Sequence, residues 1–338
     1  MVSPAPGAGI SLYEHALCLH ARIPDGPLEP QNDPFPEGAM NLRHAPRDRI
    51  GIDAAEAVRA HLAWPDLHPR FLGWAVREVA VPIFRDERIT EAVREADPAH
   101  ARRTGRWLVR RATDVNSVLI GLALLLESAE PADIPLVQTV SLYSETFGPL
   151  AYRILERLPD ATDSLLWAAE RSQGWGLVYA VKALLRQDTE EARQWLLRRP
   201  ADGDIAQGYF AHAVLVGTRA HEEVARPDAD PALVDNTGLF LLTLTHCRGM
   251  GTDLLGYAHA RVAVTAFFEH VSRLGPTSAR FRAVQELTRH LHANTPERLG
   301  WDPRRARRLG RTLLAAWAGP TEPVPWGGHR WLGVQGGG

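Results

Sequence analysis

Nowhere in this chain does a sustained alternation of β-branched and polar residues stand between hairpin turn signals. A half-buried strand needs that period of two, so no strand is predicted, and the apolar residues must be buried by helices packed on helices. The material for such a core is present: 338 residues, 45% apolar, are enough for one large domain or two small ones. A charged fraction of 23% beside that apolar content excludes a disordered or fibrous protein. The formal net charge of −2 gives no global attraction to nucleic acid or acidic lipid.

Start signals divide the chain into helices. Asp97-Pro98 and Asp302-Pro303 each pair an acceptor for the orphan amides with a proline suited to the first turn, and Asp53 is expected to cap a helix through Ala63. Ser11 to Arg22 reads as one short helix with Leu12, Ala16 and Leu19 on one side. Pro24, Pro27, Pro30, Pro34 and Pro36 follow, a density that denies both helix and sheet. Residues 319–338 hold three prolines, seven glycines, Trp326 and Trp331. The expected organisation is an N-terminal helix and Pro-rich arm over 1–52, a helical body over 53–318, and a Gly/Pro-rich tail over 319–338.

Within the body, segments recur. GLVYAVKALL (176–185) and QGYFAHAVLV (207–216) align at an offset of 30, matching Tyr179 with Tyr209, Val181 with Ala211, Leu184 with Val214 and Leu185 with Leu215. One unit upstream, GPLAYRILERL (148–158) supplies Tyr152. Spacings of 27 and 30 suit two short helices per unit. The chain thereby resembles the HEAT-like family of α-helical repeats. The resemblance implies an all-α HEAT-like α-solenoid of short helical hairpins, whose second helices line a concave side. It also implies an interaction scaffold that binds a protein or peptide partner there, without catalysis or cofactor.

On the helix beginning near Trp175, the residues Trp175, Tyr179, Lys182 and Arg186 fall at i, i+4, i+7 and i+11, while Leu177, Val181, Leu184 and Leu185 lie opposite. Tyr209 and His212 continue the stripe one unit on, so Trp175, Tyr179, Lys182, Tyr209 and His212 form the candidate binding set. The plainer reading is that a tyrosine recurs because its ring fills a repeated gap between helices.

Two arginine stripes form a second candidate. DPAHARRTGRWLVRR (97–111) and DPRRARRLGRTLLAA (302–316) share Asp-Pro, Ala-Arg-Arg and Gly-Arg at an offset of 205. Arg102 and Arg106 in one, and Arg304, Arg308 and Arg311 in the other, are candidate anion-binding residues. Arg304 and Arg305 oppose the positive end of their helix, so Asp302, Glu297 or an external anion should offset them. HEAT-like alkylpurine DNA glycosylases hold DNA on a cationic, aromatic concave surface, and this resemblance implies the alternative function, nucleic-acid binding or repair. Against it stand the net charge and a plain coding preference: of the 38 basic residues, Lys182 is the only lysine.

Chemical signatures are otherwise missing. The sequence has no G-x-S-x-G and no Walker A motif. HEEVA (221–225) lacks a second histidine for zinc, and RGMGTDLLG (248–256) reads as a joint in which Thr252 or Asp253 caps the next helix. Neither catalytic residues nor a metal site is expected. Cys18 and Cys247 lie far apart, which excludes a disulfide scaffold and suits a reducing cytosol. No basic residue precedes Arg22, and the longest apolar run, Val118 to Leu126, is half of the ~20 residues a membrane crossing needs. A cytoplasmic protein without membrane association is expected.

Overall fold

The structure, a computed structural model, describes residues 9–27, 35–36, 39, 46, 49–199, 205–247 and 249–317. Much of the arm expected at 24–38 and all of the tail at 319–338 lie outside them. Among the described residues the chain is all-helical, with eighteen α-helices, two 3₁₀ turns and no strand.

The even-numbered helices form one file. They are α2 (Ile52–Leu62), α4 (Glu87–Arg94), α6 (Val115–Ser128), α8 (Gly148–Leu155), α10 (Gly174–Gln187), α12 (Ala211–Gly217), α14 (Pro231–Leu244), α16 (Ser278–Ala293) and α18 (Arg304–Trp317), and each packs on the next. A second file, α5 (Pro98–Arg111), α7 (Ile134–Ser141), α9 (Ala161–Glu170) and α11 (Glu190–Arg198), lies against it through the pairs α5–α6, α7–α8 and α9–α10. Further on, α15 (Ala260–Leu274) packs on α14, α16 and α18. The first helix, α1 (Leu12–His20), packs on α5 and α7. Ser11 and Glu14 cap its start reciprocally, Leu12 and Ala16 are buried, and His15 Nδ1 meets the Tyr143 hydroxyl at 2.6 Å.

The run expected to be too short for a membrane becomes the middle of α6, where all of Val118–Leu126 but Ala123 is buried. Its backbone approaches α5 closely: a Cβ on Gly121 would stand 2.8 Å from Val109 and 3.1 Å from the Gly105 carbonyl oxygen. A recurring stitch joins neighbouring helices, in which a side chain satisfies the last carbonyls of another helix. Asn236 of α14 donates to the carbonyls of Leu196 and Leu197 in α11 at 3.1 and 2.9 Å. Arg307 of α18 donates to those of Leu291 and Asn294, closing α16. Arg280 of α16 donates to the carbonyls of Leu274 and Gly275 behind α15, while its fork grips Asp235 of α14 at 2.6 and 2.9 Å.

Cap expectations hold where aspartate precedes proline. Asp97 accepts from the amides of Ala99 and His100, and Asp302 from that of Arg304. Asp53 does not cap its helix: α2 starts after Gly51, whose φ of 87° turns the chain, and Asp53 sits in the first turn. Asp253 likewise closes a local turn through the amides of Leu255 and Gly256, well before α15 begins. Arg305 is offset by Glu269 of α15 rather than by Glu297, and Arg304 lies 3.6 Å from Asp302.

Candidate functional site

Helix α10 presents the stripe read from the sequence. Leu177, Val181 and Leu184 are buried, Lys182 is exposed, and Trp175 and Tyr179 stand on the other side. The start of α10 is pressed against the loop before α8, because a Cβ on Gly176 would collide with Ser144. Glu145 in that loop accepts from the Trp175 amide at 3.3 Å, fixing where the indole begins.

The indole, 41% exposed, packs on Tyr179 with ring centroids 6.1 Å apart and on Tyr209 at 4.5 Å. Tyr209 ends the 3₁₀ turn before α12 and is 37% exposed. A fourth ring comes from Phe84, which meets Tyr179 edge-on at 5.6 Å and is 53% exposed. Tyr209, Trp175, Tyr179 and Phe84 thus form one row. Burial, with the Glu145 carboxylate second, pushes the Tyr179 phenol up, so it stays a neutral donor.

Two residues aligned in the expected repeat behave differently. Tyr152 is 1% exposed, and its hydroxyl lies 2.7 Å from that of Ser172, so here the ring fills a gap between helices. His212 is turned toward Tyr257, with centroids 5.8 Å apart, and burial lowers its imidazole. Beyond Tyr257 the rings of His259 and His221 stack at 3.6 Å. No contact joins His212 to the aromatic row in the way that Trp175 joins Tyr209.

A polar cleft of about 270 Å³ opens beside the row, lined by Arg85, Arg94, Leu126, Glu127, Arg153, Glu156 and Arg157. Its carboxylates are deep, each 9% exposed, and its guanidiniums are roughly half exposed above them. Glu127 takes Arg94 at 2.9 Å and Arg157 at 3.4 Å, with Arg85 at 4.0 Å. Glu156 takes Arg153 at 2.9 Å and Arg186 at 3.0 Å. Arg186, the last member of the α10 stripe, pairs with Glu156 of the cleft, and Arg85 of the cleft follows Phe84 of the row in the chain, so the cleft adjoins the row. Four lining guanidiniums over two carboxylates leave a surplus of two positive charges, and at the rim Glu87, 3.2 Å from Arg85 and 3.6 Å from Arg94, is balanced by Arg186 on Glu156.

The arginine stripes named from the sequence lie elsewhere. Arg102 pairs with Glu130 at 2.9 Å, and Arg106 pairs with Asp133 and, at 3.4 Å, with Glu130. Both are held by these partners and are less exposed than the cleft arginines, at 21% and 31%, and the Arg106 guanidinium is pushed further up by its hydrogen bonds to Asp133. Arg304, Arg308 and Arg311 are exposed on α18, which packs on α15 and α16 rather than near α5.

Sequence reasoning missed Phe84, Arg85, Arg94, Glu127, Arg153, Glu156 and Arg157. Only the i, i+3 spacing of Arg153 and Glu156 was visible as a pair, and such pairs are ordinary on exposed helices. Among the described residues no group of three or more His, Cys, Asp or Glu gathers as a metal site, and no helix is long and apolar enough to cross a membrane. No family model, no curated protein and no solved structure matches this chain significantly.

Proposed function

We propose that this protein is a non-catalytic interaction scaffold, a HEAT-like solenoid of helical hairpins that binds a protein or peptide partner along α4 to α12. The observation that carries the reading is the row of four contacting rings, three of them exposed, two set on α10 and one each on the segments that lead into α4 and α12. Exposed aromatic side chains held by neighbours offer large contact area at little further ordering cost, the usual character of binding hot spots. Stacking each even helix on the next supports the solenoid reading, since such folds expose one extended face. Work in the cytoplasm is supported by two cysteines that remain free, Cys18 exposed and Cys247 buried.

Nucleic-acid binding is the weaker alternative. A polyanion needs a track of available cations; Arg102 and Arg106 are committed to Glu130 and Asp133, which leaves the exposed Arg304, Arg308 and Arg311 on α18 alone, away from the aromatic row.

The test compares the full-length chain with the double variant W175A/Y209A. Both rings are partly exposed, so truncation should cost far less than the ~3–5 kcal/mol of a buried aromatic, leaving the melting temperature close to that of the parent. A partner captured from native lysate by the parent and lost by the variant is the expected result. Equal capture by both proteins would remove the row from the binding face.

A further inference from the structure

We infer that the arginine cleft takes a phosphate monoester, so that the partner is a phosphorylated peptide bearing an apolar residue close to its phosphorylated side chain. This rests on reading the aromatic row as the partner face.

Charge decides the ligand class. Glu127 and Glu156 lie beneath the guanidiniums and fix them, and the lining keeps a surplus of two positive charges. A phosphate monoester carries nearly two negative charges at neutral pH and three acceptor oxygens, so one group can neutralise the surplus and engage several guanidiniums at once. Arg153 turns Nη1 to Glu156, and the rest of its five-donor fork is available to a ligand. Arg85 is similarly placed, 3.2 Å from Glu87 and 4.0 Å from Glu127.

Geometry decides the carrier. Phe84 of the row and Arg85 of the cleft are consecutive, so an apolar anchor on the row and a phosphate in the cleft belong within a few residues of each other on one peptide. A nucleic-acid strand fits less well. The positive surplus is concentrated in one cleft, whereas a strand brings a charge with every nucleotide, including over Glu145 beneath the row. The rings also pack against one another, making a joined apolar patch rather than separate platforms for splayed bases.

The experiment offers the full-length protein an oriented peptide library with a fixed phosphoserine, phosphothreonine or phosphotyrosine, and the same library unphosphorylated. The selected peptide is then titrated calorimetrically in both forms, beside inorganic phosphate and oligothymidylate. The phosphorylated form should bind roughly ten- to a hundredfold more tightly than the unphosphorylated one, and inorganic phosphate should compete with it. R153Q and R85Q should each erase most of that difference. Glu156 retains Arg186 after the first change, and Glu127 retains Arg94 and Arg157 after the second, so neither strands a buried carboxylate. If one variant melts early, the other carries the comparison. Equal affinity for both forms, no effect of either variant, or tighter binding of oligothymidylate overturns the inference. Peptides held equally in both forms but lost by W175A/Y209A would defeat the phosphate site alone. Retention of neither library would defeat the partner face as well.

Discussion

His61 is a buried base with nothing to bind, and acid should find it. It lies 3% exposed on α2, stacked on His100 of α5 with ring centroids 5.7 Å apart, and both of its ring nitrogens lack a hydrogen-bond partner. Burial first, then the charges of His100 and His68, lower its imidazole from 6.5 to about 4. The unfolded chain therefore takes up a proton near pH 6.5 that the folded chain refuses until about pH 4. Stability is untouched by this group above pH 6.5, falls as pH drops through the window, and reaches its full loss below about pH 4. At about 1.4 kcal/mol per pH unit the full loss comes to about 3 kcal/mol, of which about 2 is already felt at about pH 5. That is a large part of the ~5–15 kcal/mol that stabilises a typical domain. His61→Leu removes the titration and the two unpartnered nitrogens while keeping an apolar side chain of similar size. Urea unfolding of parent and variant at about pH 7.5 and about pH 5 measures the effect, with the parent losing about 2 kcal/mol more between them. If the two proteins lose stability in parallel, His61 is not the desolvated group described.

Two further substitutions probe the packing. Gly121→Ala should destabilise by about 1–3 kcal/mol, because the new methyl meets Val109 at 2.8 Å and the Gly105 carbonyl at 3.1 Å; an unchanged denaturation midpoint would show that α5 and α6 are not in such close contact. Arg280→Ala should cost about 3 kcal/mol, the low end for a broken pair because Asp235 is partly exposed, and should speed amide exchange at the end of α15; stability equal to the parent would deny the stitch its role.

Much of this arrangement was legible in the sequence, and the boundary has a physical cause. Trp175, Tyr179, Lys182 and Arg186 were found because a helix makes spacing into adjacency, and Tyr209 because its segment aligns with that of Tyr179 at an offset of 30. The period says which residues share a helix face and nothing about what another segment brings to it. Phe84 precedes α4 in an irregular stretch, 95 residues before Tyr179, and only packing of the helices brings their rings together. Glu127 lies in the last turn of the strongly apolar α6, where nothing nearby hints at three arginines from other elements. The stripe of Arg102 and Arg106 was equally periodic, yet its partners Glu130 and Asp133 come from the connection between α6 and α7 and hold it there. Tyr152 and Tyr209 align in the sequence but differ in the structure, since one is sealed between helices and the other ends a 3₁₀ turn at the surface.

The central claim, that the row on α10 faces the partner, is tested most directly by photo-crosslinking from two exposed positions. A photoreactive aryl residue replaces Lys182, which lies on the stripe between Tyr179 and Arg186, or Val262, exposed on α15 away from the row. Irradiation with the bound partner should yield an adduct from position 182 and none from position 262. An adduct from 262 with none from 182 would place the partner on another face of the protein.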